Sequence, residues 1–406
     1  EYKNVYRPAR VISYDKESGE LMLHNYMDFD DLKDYVKISY ELTQDGLVIS
    51  KGKLPEVSVA PHSEGKTNLK INVPENGKCY LKLIYHLKKE LPLLDEEHIL
   101  GFDEIEVSKD DAKCKLAEKW LQKTAVDSEL QVNENDTQIH IKGREFAYTI
   151  DKRTALFTEM KFAGREYLNH PMELNIWRAP TDNDMYIKSE WKKAHYDKAY
   201  TRAYTTEVVQ GKHGVKITSH ASVVAETVQK ILDVTITWKI EAAGKIDADI
   251  AVTKDDEFPD LPRFGVRMFL DKKLSAARYF GMGPQESYCD KHQAASHGLY
   301  HANVDDLHED YIRPQENGSH YDCEYVELNN SRYGIVVSAE NAFSFNASYY
   351  TQEELEKKTH NYELTESDSV VFCVDYALNG IGSNSCGPVV LEQYRFDDVL
   401  FRFQFT

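Results

Sequence analysis

Along most of the chain, apolar and polar residues alternate with a period of two, the spacing of a strand that buries one face. In "ILDVTITWKIEAAGKIDADIAV", Leu232, Val234, Ile236, Trp238 and Ile240 alternate with polar neighbours. The "AAGK" that follows is a turn, and Ile246, Ala248, Ile250 and Val252 alternate back, which predicts an antiparallel hairpin. "TQIHIKGREFAYTI" repeats the pattern, with Ile139 and Ile141 before a Gly-containing turn and Phe146, Tyr148 and Ile150 after it. "VLFRFQFT" predicts a last strand with Val399, Phe401, Phe403 and Phe405 on one face. Helical signals are few. "TQEELEKKTH" places Glu354 three residues after Thr351, a capping-box spacing, and "SEWKKAHYDKAY" predicts a turn or two of helix after Ser189. No strand–helix alternation appears, which argues against a doubly wound nucleotide fold.

The predicted class is therefore all-β. A chain of 406 residues is too long for one ordinary core, so two domains are expected. In residues 1–107 the segments "GELMLHNY", "VKISYELTQDGLVISKGKL", "TNLKINV" and "GKCYLKLIYHL" are short and evenly spaced between turn signals, as in an immunoglobulin-like sandwich. Residues 108–128, around "SKDDAKCKLAEKW", follow neither period and read as an extended linker. Residues 129–406 continue the strand pattern as one large sandwich.

Composition narrows the partners. With 68 Asp and Glu against 49 Lys and Arg, the chain is a poor match for nucleic acid or an anionic membrane surface, and no apolar run has the length of a spanning helix. The cysteines at 79, 114, 289, 323, 373 and 386 form no Cys-x-x-Cys pair or zinc spacing; free thiols point to the cytoplasm. The opening "EYKNVYRPAR" has neither a methionine nor an apolar leader, as expected of a piece of a longer protein. Tyrosine outnumbers phenylalanine 26 to 16, and a flat face with a polar tip suits strands and sugar-contacting surfaces alike.

The densest chemistry lies in "NIWRAPTDNDMYIKSEWKKA", where Arg178, Asp182, Asn183 and Asp184 stand between Trp177 and Trp191. Two carboxylates can divide acid and nucleophile roles in glycoside cleavage, but such pairs normally come from separate strands. They can hold a hard cation, yet no further acid follows at EF-hand spacing. Otherwise they bond loop backbone, with Arg178 against a carboxylate. "FGMGPQESY" and "RPQENG" each present one acid on a shaped loop, Glu286 and Glu316; these form a pair across a cleft or lock their loops. "GIGSNSCGP" lacks the spacing of a phosphate loop or of a Gly-x-Ser-x-Gly elbow. The 15 histidines show no metal-ligand spacing.

Taken in order, "WRAPTDND", "FGMGPQESYCD", "RPQENGSHYDCEYVEL", "FSFNASYYTQEELEKKTH" and "GIGSNSCGP" resemble the C-terminal portion of the large bacterial β-galactosidases of glycoside hydrolase family 2. "YRPARV" and "GFDEIEV" resemble the ends of that family's connecting sandwich. The resemblance implies an immunoglobulin-like β-sandwich followed by a galactose-mutarotase-like supersandwich, the small-chain domain. It implies no catalytic residue in this chain, because the two glutamates of the retaining mechanism lie in an upstream barrel. Magnesium and sodium would also be bound upstream, and a β-galactoside, that barrel and further copies of the protein would be the partners. Arg178, Asp182, Asn183, Asp184, Asn384 and Cys386 would border the substrate pocket. Many relatives carry a tryptophan where Cys386 stands, and a thiol offers far less area for stacking on a sugar. Alternatives are the small subunit of a two-chain β-galactosidase, a free-standing carbohydrate-binding module, or an epimerase or lyase whose His or Tyr base the sequence does not identify.

Overall fold

The computed structural model describes residues 1–108 and 130–406, so the linker expected at 108–128 lies, apart from Ser108, outside the described residues. Those residues form two compact units, built on antiparallel strand pairs. The expected all-β class holds.

The first unit contains residues 1–108 together with 292–299. Its four-stranded sheet runs Leu47–Lys53, Val36–Gln44, Cys79–Leu87, Ile99–Ser108; its three-stranded sheet runs Ala9–Tyr14, Glu20–Asn25, Glu64–Asn68. Period two is plain in Cys79–Leu87, where Cys79, Leu81, Leu83, Tyr85 and Leu87 are buried. The strand expected within Thr67–Val73 lies earlier, at Glu64–Asn68, paired with Glu20–His24. Leu69, Ile71 and Val73 still pack on the core, but as irregular chain. Alternating apolar residues report which side is buried; the partner strand decides where hydrogen-bonded pairing stops.

The second unit contains residues 130–291 and 300–406 and is built on three sheets. One runs Arg165–Glu166, Leu156–Phe162, Phe146–Asp151, Gln138–Lys142, Gln131–Glu134. The second runs Tyr200–Gln210, Gly214–Val224, Leu232–Glu241, Ile246–Lys254, Leu400–Phe405. The seven-stranded third runs Leu168–Asn175, Arg263–Asp271, Ser369–Leu378, Gly334–Ser348, Ser319–Asn329, Ala276–Gly283 and a last strand, Ser296–Asn303, of which residues 300–303 belong to this unit. The predicted hairpin forms with Trp238 opposite Ala248 and Ile240 opposite Ile246. The last strand pairs Phe401 with Val252 and Phe403 with Ile250; Val399 falls before it and is exposed.

Aromatic side chains join the sheets. Phe157 meets Trp238 edge-on at 4.9 Å and Phe264 meets Phe401 at 5.0 Å, while the Trp238 indole N–H donates to the Ala155 carbonyl at 2.8 Å. Each such ring, fully buried, contributes roughly 1.5–3 kcal/mol. Helix is confined to short pieces. Gln352–Lys357 begins after Thr351, whose hydroxyl accepts the Glu354 N–H at 3.1 Å; the Glu354 carboxylate accepts the Thr365 N–H, so the reciprocal half of the box is spent on the next loop. The helix expected after Ser189 spans Ile187–Lys193, starting two residues earlier.

Candidate functional site

The segment that follows strand Leu168–Asn175 leaves the seven-stranded sheet through two indoles. Trp177 and Trp191 meet edge-on at 6.2 Å, both buried, and the Arg178 guanidinium lies 5.3 Å from the Trp191 ring centre. These tryptophans are core, and they anchor the polar loop between them. Arg178 is completely buried and forks onto Asp184 through Nε at 3.1 Å and Nη2 at 2.7 Å. Its remaining donors reach the carbonyls of Asn379 and Gly380. Asp184 also accepts the Thr181 N–H at 2.9 Å. A bidentate pair with all three guanidinium nitrogens bonded is a rigid pin between two loops.

A second buried cation lies close by in sequence and fold. Arg263, on strand Arg263–Asp271, forks onto Asp375 at 3.1 and 2.5 Å and reaches Glu316 at 3.3 Å. Gly265 makes this possible: it pairs with Asp375 across the strands, and a Cβ there would stand 2.5 Å from the Asp375 carboxylate. Burial pushes the Asp375 and Glu316 carboxyls upward, and the Arg263 guanidinium opposes both shifts. Glu316 also sets its loop, since its N–H donates to the Ala179 carbonyl at 3.0 Å. Glu286 accepts the Gly318 N–H at 2.9 Å and is engaged by Lys291 and the Tyr311 hydroxyl. Both Pro-Gln-Glu acids therefore lock loops.

The glycine-rich loop after strand Ser369–Leu378 is held from both sides. Asp290 accepts the N–H groups of Ile381 at 2.9 Å and Gly382 at 2.7 Å. Asn183 donates to the Gly382 carbonyl at 2.6 Å and accepts the Ser385 hydroxyl at 2.7 Å. Gly382 has φ of 65°, and a Cβ on it would stand 2.6 Å from Val390, so glycine is required there. Asp290→Ala is expected to strand two loop amides, lowering stability by about 1–3 kcal/mol and stripping hydrogen-exchange protection from Ile381 and Gly382. Unchanged protection at both amides would show that Asp290 does not hold the loop.

The six residues expected at a rim thus sort by depth. Arg178 and Asp184 lie beneath the surface and present no ligand-facing atoms. Asn183 is half-buried and ties the loops together, and Asn384, next in sequence to the Ser385 that Asn183 holds, is half-buried too. Asp182 and Cys386 are exposed. Arg178 partners Asp184 alone of the two aspartates; Asp182 turns to Arg313 at 3.7 Å and to Gln315, so the Asp-x-Asp carboxylates do not converge as a hard-cation site would need. Sequence reasoning missed Arg263, Asp375 and Asp290. The available signal was a charge inside an otherwise apolar strand, "LPRFGVRMFL" facing "VVFCVDY". Cys289, Cys323, Cys373 and Cys386 are free thiols, as expected.

The architecture defines the class first: an all-β chain whose larger unit clamps a set of loops at strand ends of a seven-stranded sheet. Residues 142–406 match the family described as beta-galactosidase small chain, and residues 21–108 match beta-galactosidase domain 4. The chain belongs to the β-galactosidase small-chain family. It is 43% identical to a β-galactosidase of Actinobacillus pleuropneumoniae over its whole length, which is 39% of that relative. A β-galactosidase of Staphylococcus xylosus is 30% identical, again over the whole chain and 40% of the relative. The chain thus spans about two fifths of these curated relatives. Among solved structures, a galactose 1-epimerase from Lactobacillus acidophilus NCFM aligns with 69% of this chain and 97% of its own at 8% identity, with a TM-score of 0.33.

Proposed function

We propose that this chain is the C-terminal part of a glycoside hydrolase family 2 β-galactosidase that cleaves terminal β-D-galactosides with retention, and that its clamped loops border the mouth of the active site. The observation that carries the reading is Asn183. By holding Gly382 and Ser385 it fixes the loop bearing Asn384 and Cys386 against the loop bearing Asp182, above a base of buried ion pairs. Rigid polar loops set on a sheet edge are what substrate positioning requires. Glu286 and Glu316 are committed to loop and arginine contacts, which supports assigning the acid/base and nucleophile to an upstream barrel. Magnesium, sodium and the contacts of a homo-oligomer belong, on this reading, to the whole enzyme, with its upstream domains supplying the metal ligands. Cys386, in place of the tryptophan of many relatives, leaves the second sugar less stacked.

The purified chain should not turn over a chromogenic β-galactoside, and should do so once joined to the upstream part of its own gene. Turnover by the chain alone sinks the proposal. Calorimetry with galactose and lactose separates the binding-module alternative: saturable heat from the chain alone would favour that module.

A further inference from the structure

We infer that the cleft where the three sheets of the second unit meet is a binding site for a small, flat, apolar molecule carrying one anionic group. The cleft encloses about 600 Å³ and shares no residue with the clamped loops. That volume lies within the range of small-molecule sites, roughly 300–1,000 Å³. Its lining draws on each sheet: Phe157 from the first, Trp238 and Phe405 from the second, Met172, Met268 and Ile335 from the seven-stranded one. Phe157 and Trp238 are already locked edge to face, and the Trp238 N–H is spent on Ala155. The floor is therefore rigid, aromatic and without a free donor, while the two methionines can adapt to a ligand's outline. Tyr148 and Tyr333 likewise turn their hydroxyls to Gly244 and Asp271, leaving ring faces to the cleft.

The side chains of the lining carry a net charge opposite to that of the chain. Three cations, Arg165, Arg332 and Lys245, stand against two carboxylates, Glu241 and Glu327, in a protein whose formal net charge is −19. Lys245 is paired with Glu241 at 2.9 Å, and Glu327 accepts from Tyr325 at 2.6 Å and Asn329 at 3.0 Å. Among the described residues neither Arg165 nor Arg332 has a carboxylate at ion-pair distance. The Arg165 guanidinium instead lies over the Tyr333 ring at 4.7 Å, with its fork available to an incoming oxyanion. An apolar floor selects the ring and the arginines select the anion.

The test uses 8-anilinonaphthalene-1-sulfonate and its uncharged analogue N-phenyl-1-naphthylamine, titrated by fluorescence and calorimetry into the intact chain. One-to-one saturable binding of both, tighter for the sulfonate, is expected. Arg165→Gln with Arg332→Gln, both on exposed side chains, should weaken the sulfonate about tenfold and leave the neutral analogue unchanged. Ile335→Trp should fill the cleft and abolish both. If Ile335→Trp fails to fold, the arginine pair still decides. Absence of saturable binding, a stoichiometry other than one, or sulfonate affinity indifferent to both arginines overturns the inference.

Discussion

Arg263→Met is expected to lower stability by about 3–5 kcal/mol at neutral pH, the range for removing one partner of a buried ion pair, and by distinctly less at pH 5. The guanidinium is fully buried and faces two carboxyls that are also buried, Asp375 and Glu316. Removing it leaves Asp375 without its cation and Glu316 with only the charge of Arg178, both where water cannot reach. Its methylene stem can be replaced by methionine, so the loss is chiefly electrostatic. The pH dependence follows from the direction of the shifts. Burial already raises both carboxyls in the intact protein, with Arg263 opposing. Without Arg263 the folded state holds protons at higher pH than the unfolded chain. Stability from these groups is then complete below the ordinary carboxylate range and is lost as pH rises through the raised folded values. Urea unfolding of both proteins at pH 5 and pH 7.5 measures this. A penalty that is the same at both pH values would mean the arginine acts through packing alone.

Arg178→Met is expected to cost a similar amount, about 3–5 kcal/mol, with a different signature. Arg178 is hydrogen-bonded to one carboxylate, Asp184, and also caps the carbonyls of Asn379 and Gly380. Its loss should therefore release the glycine-rich loop as well as strand an acid. Hydrogen exchange at residues 379–387 should accelerate beyond what the global loss explains. The double variant Arg178→Met, Asp184→Leu removes the pair as a unit and should recover most of the stability, because buried pairs replaced by apolar side chains are often neutral. It should not recover loop protection. If the double variant is no more stable than Arg178→Met, the destabilisation comes from the carbonyls and the lost contact with Trp191, and the ion pair is incidental.

Much of this architecture was legible because strands that bury one face have no choice but to alternate. Leu232 to Ile240 and Phe401 to Phe403 are read correctly from spacing, since a one-residue slip would turn every one of them to solvent. Thr351 was legible too, because a helix start leaves N–H groups that a hydroxyl satisfies locally. The end of pairing at Asn68 was not, because it depends on a partner strand more than forty residues away in the chain.

The loops divide along the same line. Local order in the sequence determined that Arg178 and an aspartate would meet, and that glycines would shape the late loop, because both follow from reach along a few residues. Which aspartate, and what Arg178 does with its other donors, was decided by Asn379 and Gly380, about two hundred residues further on. Arg263, Asp375 and Asp290 acquire meaning only when separate strands and loops bring them together, since an ion pair is defined by a distance in space. Residue order along one chain fixes that distance only for near neighbours; the packing of the seven-stranded sheet sets it for the rest.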